Sequence, residues 1–215
     1  MLSFIIPRKI YTILHSILFI AALLIVSWFF PYQQSDTEHQ QLARQKLLDE
    51  HGKIQQVLFS PDDMIREVLL GLISLEKERI IVASYVITDR AIAEALITAH
   101  KRGVRVEIVT CRSGAQEGWS KINLLIAAKI PVYVYPAGFS RSLMHNKFII
   151  FFSVTLGNGQ KMIIGTGSYN MTNAASDTNQ ESFIFLEQRS IIKKYIQRFE
   201  HLKKHSIRTR TPSKA

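Results

Sequence analysis

Residues 145–152 read H-N-K-F-I-I-F-F, and residues 163–181 read I-I-G-T-G-S-Y-N-M-T-N-A-A-S-D-T-N-Q-E. His145 and Lys147 stand two apart at the head of an apolar run. An extended chain points residues i and i+2 to the same side, so a buried strand here projects an imidazole and an ammonium from one face. Ser168 and Asn170 repeat that spacing at the end of the second apolar run. The polar segment between the runs centres on Gly157-Asn158-Gly159, a turn signal that predicts a hairpin. Pairing of the two strands gathers imidazole, ammonium, hydroxyl and amide on one face, and Glu181 follows eleven residues after Asn170.

These groups suit phosphodiester chemistry. Lys147 and Asn170 can hold non-bridging phosphate oxygens, and the His145 imidazole can attack phosphorus or protonate a leaving oxygen. A carboxylate such as Glu181 can take the other ring nitrogen and fix the tautomer. The sequence offers no carboxylate cluster for magnesium, so lysine is the expected source of positive charge, with no metal or other cofactor.

In this order, H-x-K, then G-x-G-S-x-N, then N-x-E resembles the HKD motif of the phospholipase D superfamily. The likeness is to its small single-motif members, the Nuc-like endonucleases and the mitochondrial cardiolipin hydrolase group. It covers roughly residues 55–200 and extends to I-V-A-S-Y-V-I-T-D, A-H-K-R-G-V-R-V and A-A-K-I-P-V. The resemblance implies that His145 is the nucleophile, Lys147 and Asn170 bind phosphate, Ser168 is a supporting polar group and Glu181 orients the histidine. One position departs: five residues after the lysine, where the family usually carries Asp, this chain has Phe152. A phenyl ring accepts no hydrogen bond of the carboxylate kind, so the role of that Asp must be met otherwise or be missing.

The chain has 215 residues, 47% of them hydrophobic, which is room for one domain plus an appendage. Its net charge of +10 favours polyanionic partners, either nucleic acid or an anionic membrane surface. A single cysteine, Cys111, excludes an intrachain disulfide and a cysteine zinc cluster. Residues 10–30 carry no Asp, Glu, Lys or Arg. As a helix they would rise about 30 Å, enough to cross a hydrocarbon core. Arg8 and Lys9 precede this span, Trp28 and Tyr32 mark its far end, and Asp36 and Glu38 follow. That asymmetry predicts a cytoplasmic N-terminus at residues 1–9, a single-pass signal anchor at 10–30, and the remainder on the exported side. A cleaved signal peptide is the rival reading; the apolar stretch is long for one and no A-x-A pattern follows it.

Residues 31–54 read as a polar stalk, either extended or part-helical, residues 55–204 as the phospholipase D-like domain, and residues 205–215 as a basic disordered tail. Within the domain, strands and helices alternate. A helix is predicted from Pro61 to about Lys77, another begins at Thr88 or Asp89 and closes at Gly103, a third covers Trp119–Lys129, and a last runs from Ser190 to about Lys204. Strands are predicted at I-Q-Q-V-L-F-S-P, R-I-I-V-A-S-Y-V-I, V-R-V-E-I-V-T, P-V-Y-V-Y-P and Ser182–Leu186. The pattern predicts an α/β domain with a mixed, largely parallel sheet flanked by helices.

The superfamily's chemistry uses two histidines, whereas no second G-S-x-N exists here for His39, His51 or His100 to join. A homodimer with two facing motifs is therefore expected. Three functions remain open: a tethered nuclease acting on DNA or RNA, a tethered phospholipase, and a binding protein whose site has decayed at Phe152. Arg112, Lys121 and Arg141 flank strand ends and either extend a phosphate track or are ordinary solvated charges.

Overall fold

The computed structural model describes residues 38–136, 143–157 and 159–209. The expected membrane span at 10–30 and Arg141 lie outside the described residues. Among the described residues, no helix is long and apolar enough to cross a membrane.

One eight-stranded sheet runs in the order β1-β7-β6-β5-β2-β3-β4-β8. Its strands are β1 (Gln55–Ser60), β2 (Arg79–Ser84), β3 (Arg105–Cys111), β4 (Val132–Tyr135), β5 (Phe148–Leu156), β6 (Gly159–Gly167), β7 (Glu181–Leu186) and β8 (Ile207–Arg208). The sheet is mixed, as expected, but it is not largely parallel. Among the described strands only β2–β3 and β3–β4 pair parallel; every other strand pairing is antiparallel. The reason is insertion. β1 and β2 point the same way, as strand–helix–strand order predicts, but β7, β6 and β5 lie between them.

Alternating side chains divide the core in two. Ile80 and Val82 of β2 join one cluster, Ile81 and Ala83 the other. The first cluster is closed by α1 (38–47), α2 (Ile65–Leu75), α3 (Arg90–Lys101) and α5 (Ile122–Ala127). The second is closed by α7 (Arg189–Lys204), through Ile192, Phe199 and Leu202. Single turns α4 (Arg112–Gln116) and α6 (Asn173–Asp177) sit in connections.

Several boundaries differ from expectation. The stalk assigned to 31–54 is part of the folded unit from α1 onward: Ala43, Leu47 and Ile54 are buried, and Gln40 Nε2 donates to Ser74 Oγ at 3.1 Å. A methyl group at Gly71 would collide with the His39 carbonyl, so glycine is what lets α1 lie this close to α2. The tail expected from 205 is ordered as far as Thr209, because β8 pairs with β4 and Thr209 N donates to Val132 O at 2.9 Å; residues 210–215 lie outside the described residues. The helix expected at Pro61 starts at Ile65. Asp63 instead holds a turn, accepting from Phe59 N and from Lys46, each at 2.9 Å. The helix expected over Trp119–Lys129 shrinks to α5, leaving Trp119 exposed. Asp89 caps α3 by accepting from Ile92 N at 3.1 Å.

A bulge interrupts β5 between Phe151 and Val154. The fully buried Glu76 holds it. Its carboxylate accepts from Ser153 N through both oxygens, at 3.0 and 2.9 Å, and from the amides of Lys77, Glu78 and Arg79. A buried charge is tolerated when its lone pairs are this fully used.

Candidate active site

One edge of the sheet collects the candidate residues. Strands β1, β2, β3 and β4 end there, β5 and β7 begin there, and β6 ends there. His145 and Lys147 lie in the non-strand segment that leads into β5, not in the strand itself. Ser168 and Asn170 lie just past the end of β6, and Glu181 opens β7. The antiparallel β5–β6 pairing, Phe148 opposite Thr166, brings the first two pairs together at that edge.

Lys147 is 8% exposed, while His145 is open to solvent. The lysine Nζ lies 3.1 Å from both imidazole nitrogens and donates to the His145 carbonyl at 3.0 Å. Burial pushes the lysine pKa down, and the nearby Glu181 charge opposes part of that shift. The backbone beneath is clamped: Lys147 O accepts from Thr166 Oγ1 at 3.2 Å and from Gly167 N at 3.4 Å.

Ser168 is committed to structure. Its amide donates to Ser182 O at 3.0 Å, and its hydroxyl accepts from Ser182 N at 3.1 Å. This ties the end of β6 to the start of β7 and so fixes Asn170 relative to Glu181. Gly167 permits it, since a methyl group there would collide with Ser182 O. Asn170 is half-buried, and its side-chain oxygen is buried without a hydrogen-bond partner. Such an acceptor costs about 1–3 kcal/mol when no donor reaches it. Glu181 Oε1 accepts from Asn179 Nδ2 at 3.1 Å. Among the described residues no hydrogen bond joins Glu181 to His145; its charge acts on Lys147 instead.

Two other H-x-K spacings occur, His51–Lys53 and His201–Lys203. The first lies in the exposed turn before β1; the second is on α7, with Lys203 paired to Glu107. Neither reaches the edge that holds His145. Phe152 sits in the β5 bulge, five residues beyond Lys147 and about 16 Å along the strand. Among the described residues, no group of three or more His, Cys, Asp or Glu side chains converges to hold a metal. Sequence reasoning gave no role to Tyr85, just past β2, whose ring centroid lies 5.1 Å from that of His145. It stood inside the quoted run I-V-A-S-Y-V-I-T-D, one residue beyond the strand, where a side chain leaves the core for the edge.

An α/β sheet bearing this His–Lys–Asn edge defines a phospholipase D-like domain. Residues 69–203 match the family model described as cardiolipin synthase, PLD-like domain, and the chain belongs to that family within the phospholipase D superfamily. A phospholipase D of Rickettsia felis is 34% identical over 139 residues, 65% of this chain and 64% of that protein. A mitochondrial cardiolipin hydrolase of Xenopus tropicalis is 32% identical over 113 residues, 52% of this chain and 48% of that protein. The match thus spans less than two thirds of the length of these relatives. Among solved structures, the phospholipase D family member Nuc of Salmonella typhimurium aligns with a TM-score of 0.63 at 27% identity, covering 73% of this chain and 97% of Nuc.

Proposed function

We propose that this chain is a membrane-tethered phosphodiesterase that hydrolyses DNA or RNA through a phosphohistidine, without metal, as a homodimer. The observation that carries it is the Lys147 ammonium set against both His145 ring nitrogens, at the sheet edge that also carries Asn170, whose Nδ2 can donate to a phosphoryl oxygen. The imidazole attacks phosphorus, forming a P–N bond as the P–O bond to the leaving group breaks. The departing oxygen takes its proton from the partner's His145. That second imidazole then removes a proton from water, which attacks phosphorus, breaks the P–N bond and frees His145. Lys147 and Asn170 stabilise the extra charge on the phosphoryl oxygens in each step.

This reading takes the second histidine from a second copy, because among the described residues this sheet edge holds one. A surface for that copy is available: Val57, Phe59 and Ile184 are 45%, 51% and 42% exposed on the outer face of the β1–β7 pair, beside the reactive edge. The apolar stretch 10–30 supports a tether, and the charge order around it supports placing the domain on the exported side. The net charge of +10 favours nucleic acid. The names of the curated relatives favour a second reading, hydrolysis of a phospholipid such as cardiolipin.

One assay separates these readings. The full chain in detergent, with excess EDTA, is offered single- and double-stranded DNA and RNA and cardiolipin vesicles, alongside His145→Asn. Cleavage of nucleic acid by the parent alone is the expected result. Cleavage confined to the vesicles would establish the lipid reading, and loss of activity in EDTA restored by magnesium would defeat the mechanism.

A further inference from the structure

Tyr85 stands against both members of the catalytic pair. Its ring centroid is 5.1 Å from that of His145, tilted by 60°, and the Lys147 ammonium lies 5.8 Å from the Tyr85 centroid. The ring is fixed from several directions. Its hydroxyl accepts from Ser113 Oγ at 3.3 Å, and that serine oxygen also lies 3.3 Å from Cys111 Sγ at the end of β3. Its carbonyl accepts from Thr110 Oγ1 at 3.2 Å. Gly114 packs so closely on that carbonyl that a methyl group there would collide with it. Three groups from β3 and α4 thus hold one residue at the end of β2.

The catalytic pair needs such a wall. His145 is exposed and precedes its strand, and its ring nitrogens have no hydrogen-bond partner among the described residues except Lys147. Glu181, the expected orienter, is engaged with Asn179. Aromatic edge or face contact restricts the imidazole plane, and the negative ring face favours the ammonium over a neutral amine.

We propose that Tyr85 is a positioning residue that sets the orientation of the His145 imidazole and the place of the Lys147 ammonium, the ring acting as the wall and Ser113 as its anchor. This rests on the phosphodiesterase reading of the same site, but not on which diester is cut. The test therefore uses bis(p-nitrophenyl) phosphate, a small diester with neither base nor acyl chain, and the full chain with Tyr85→Phe, Tyr85→Leu and Ser113→Ala. Misplacing a reacting group by about 1 Å can cost about a hundredfold, so Tyr85→Leu is expected to lower kcat by about ten- to a hundredfold with KM within about twofold. Tyr85→Phe keeps the ring but loses its hydroxyl anchor, and Ser113→Ala loses the same hydrogen bond, so both should lower kcat by about threefold, well short of Tyr85→Leu. In parallel, the His145 ring protons should carry a ring-current shift in NMR spectra that is kept in Tyr85→Phe and lost in Tyr85→Leu.

Parent-like kcat in a folded Tyr85→Leu overturns the proposal. So does a loss in Tyr85→Phe as large as in Tyr85→Leu, or a His145 signal indifferent to the ring. Should Tyr85→Leu not fold, a parent-like kcat in Ser113→Ala overturns it, and a partial loss with unchanged KM supports it. Failure of the nuclease reading looks different: the parent turns over the small diester and leaves nucleic acid intact. If the parent turns over neither, the site reading fails, and the NMR comparison alone decides whether Tyr85 orients the imidazole.

Discussion

The guanidinium of Arg79 lies over the ring of Phe152, 5.0 Å from its centroid. Phe152 stands where the family usually carries Asp, so a cation–π contact occupies the place of a carboxylate. Arg79 is not left short of anions, since it also pairs with Glu107 and Glu200, at 2.6 and 3.2 Å. The substitution is a structural matter, far along β5 from His145. Phe152→Ala should therefore lower stability by about 2 kcal/mol, from lost packing plus the cation contact, and leave kcat unchanged. Denaturant midpoints and turnover of a diester measure the two separately; a large fall in kcat with unchanged stability would place Phe152 in the chemistry after all.

The buried carboxylate at the bulge makes a second case. Glu76→Ala strands the amides of Ser153 and of the residues entering β2, so stability should fall by about 3 kcal/mol or more. Thermal melting checks this. A loss below about 0.5 kcal/mol would mean that the bulge holds itself without the carboxylate.

The Lys147 shift has a sign that can be measured. Burial lowers the folded-state pKa below the unfolded one. Between those two values the unfolded chain binds more protons, so Lys147 destabilises the fold below its folded pKa and stability recovers as pH rises through that window. Activity moves oppositely, because phosphate binding needs the ammonium. The alkaline limb of kcat/KM should fall at lower pH than an ordinary lysine would give. Glu181→Gln removes the opposing charge and should move that limb lower still, while Lys147→Arg should abolish it. A limb unmoved by both variants would assign it to another group.

Dimerisation predicts a concentration dependence. Ile184→Asp puts a charge on the exposed apolar face beside the reactive edge. It should yield a monomer by sedimentation, with turnover down by about a hundredfold, because one imidazole is lost from each site. A monomer with parental specific activity would show that each chain works alone.

Direction was legible in this sequence and neighbourhood was not. Alternating strands and helices fixed that β1 through β4 run one way, because each helix returns the chain to its starting end. Nothing local records that β5, β6 and β7 enter between β1 and β2; those contacts join residues from opposite ends of the domain. The candidate site residues were legible for the opposite reason. His145, Lys147, Ser168 and Asn170 sit at the mouths of two strands that the hairpin signal itself pairs, so their meeting follows from nearby sequence. The contacts of Tyr85 were hidden, because they depend on side chains from separate connections; the bond from Asn179 to Glu181 is local, and its geometry rather than its distance in sequence kept it from view. The α1 segment was hidden by composition: its Gln- and Glu-rich surface reads as a stalk, and only Ala43 and Leu47 report the buried side.

The placement of β1 also governs how the chain can assemble. Among the described residues its sole sheet neighbour is β7, so Gln55 waits for Leu186 before its backbone finds a partner in the sheet. During synthesis, Val57, Leu58 and Phe59 emerge early as an unpaired apolar strand, while β2, β3 and β4 can already join. Closure of the sheet falls late, after His145, Lys147 and Asn170 have been made. The nascent chain therefore passes through a stage with a sticky, unmatched edge, and it acquires its reactive site and its protection from aggregation in the same final step.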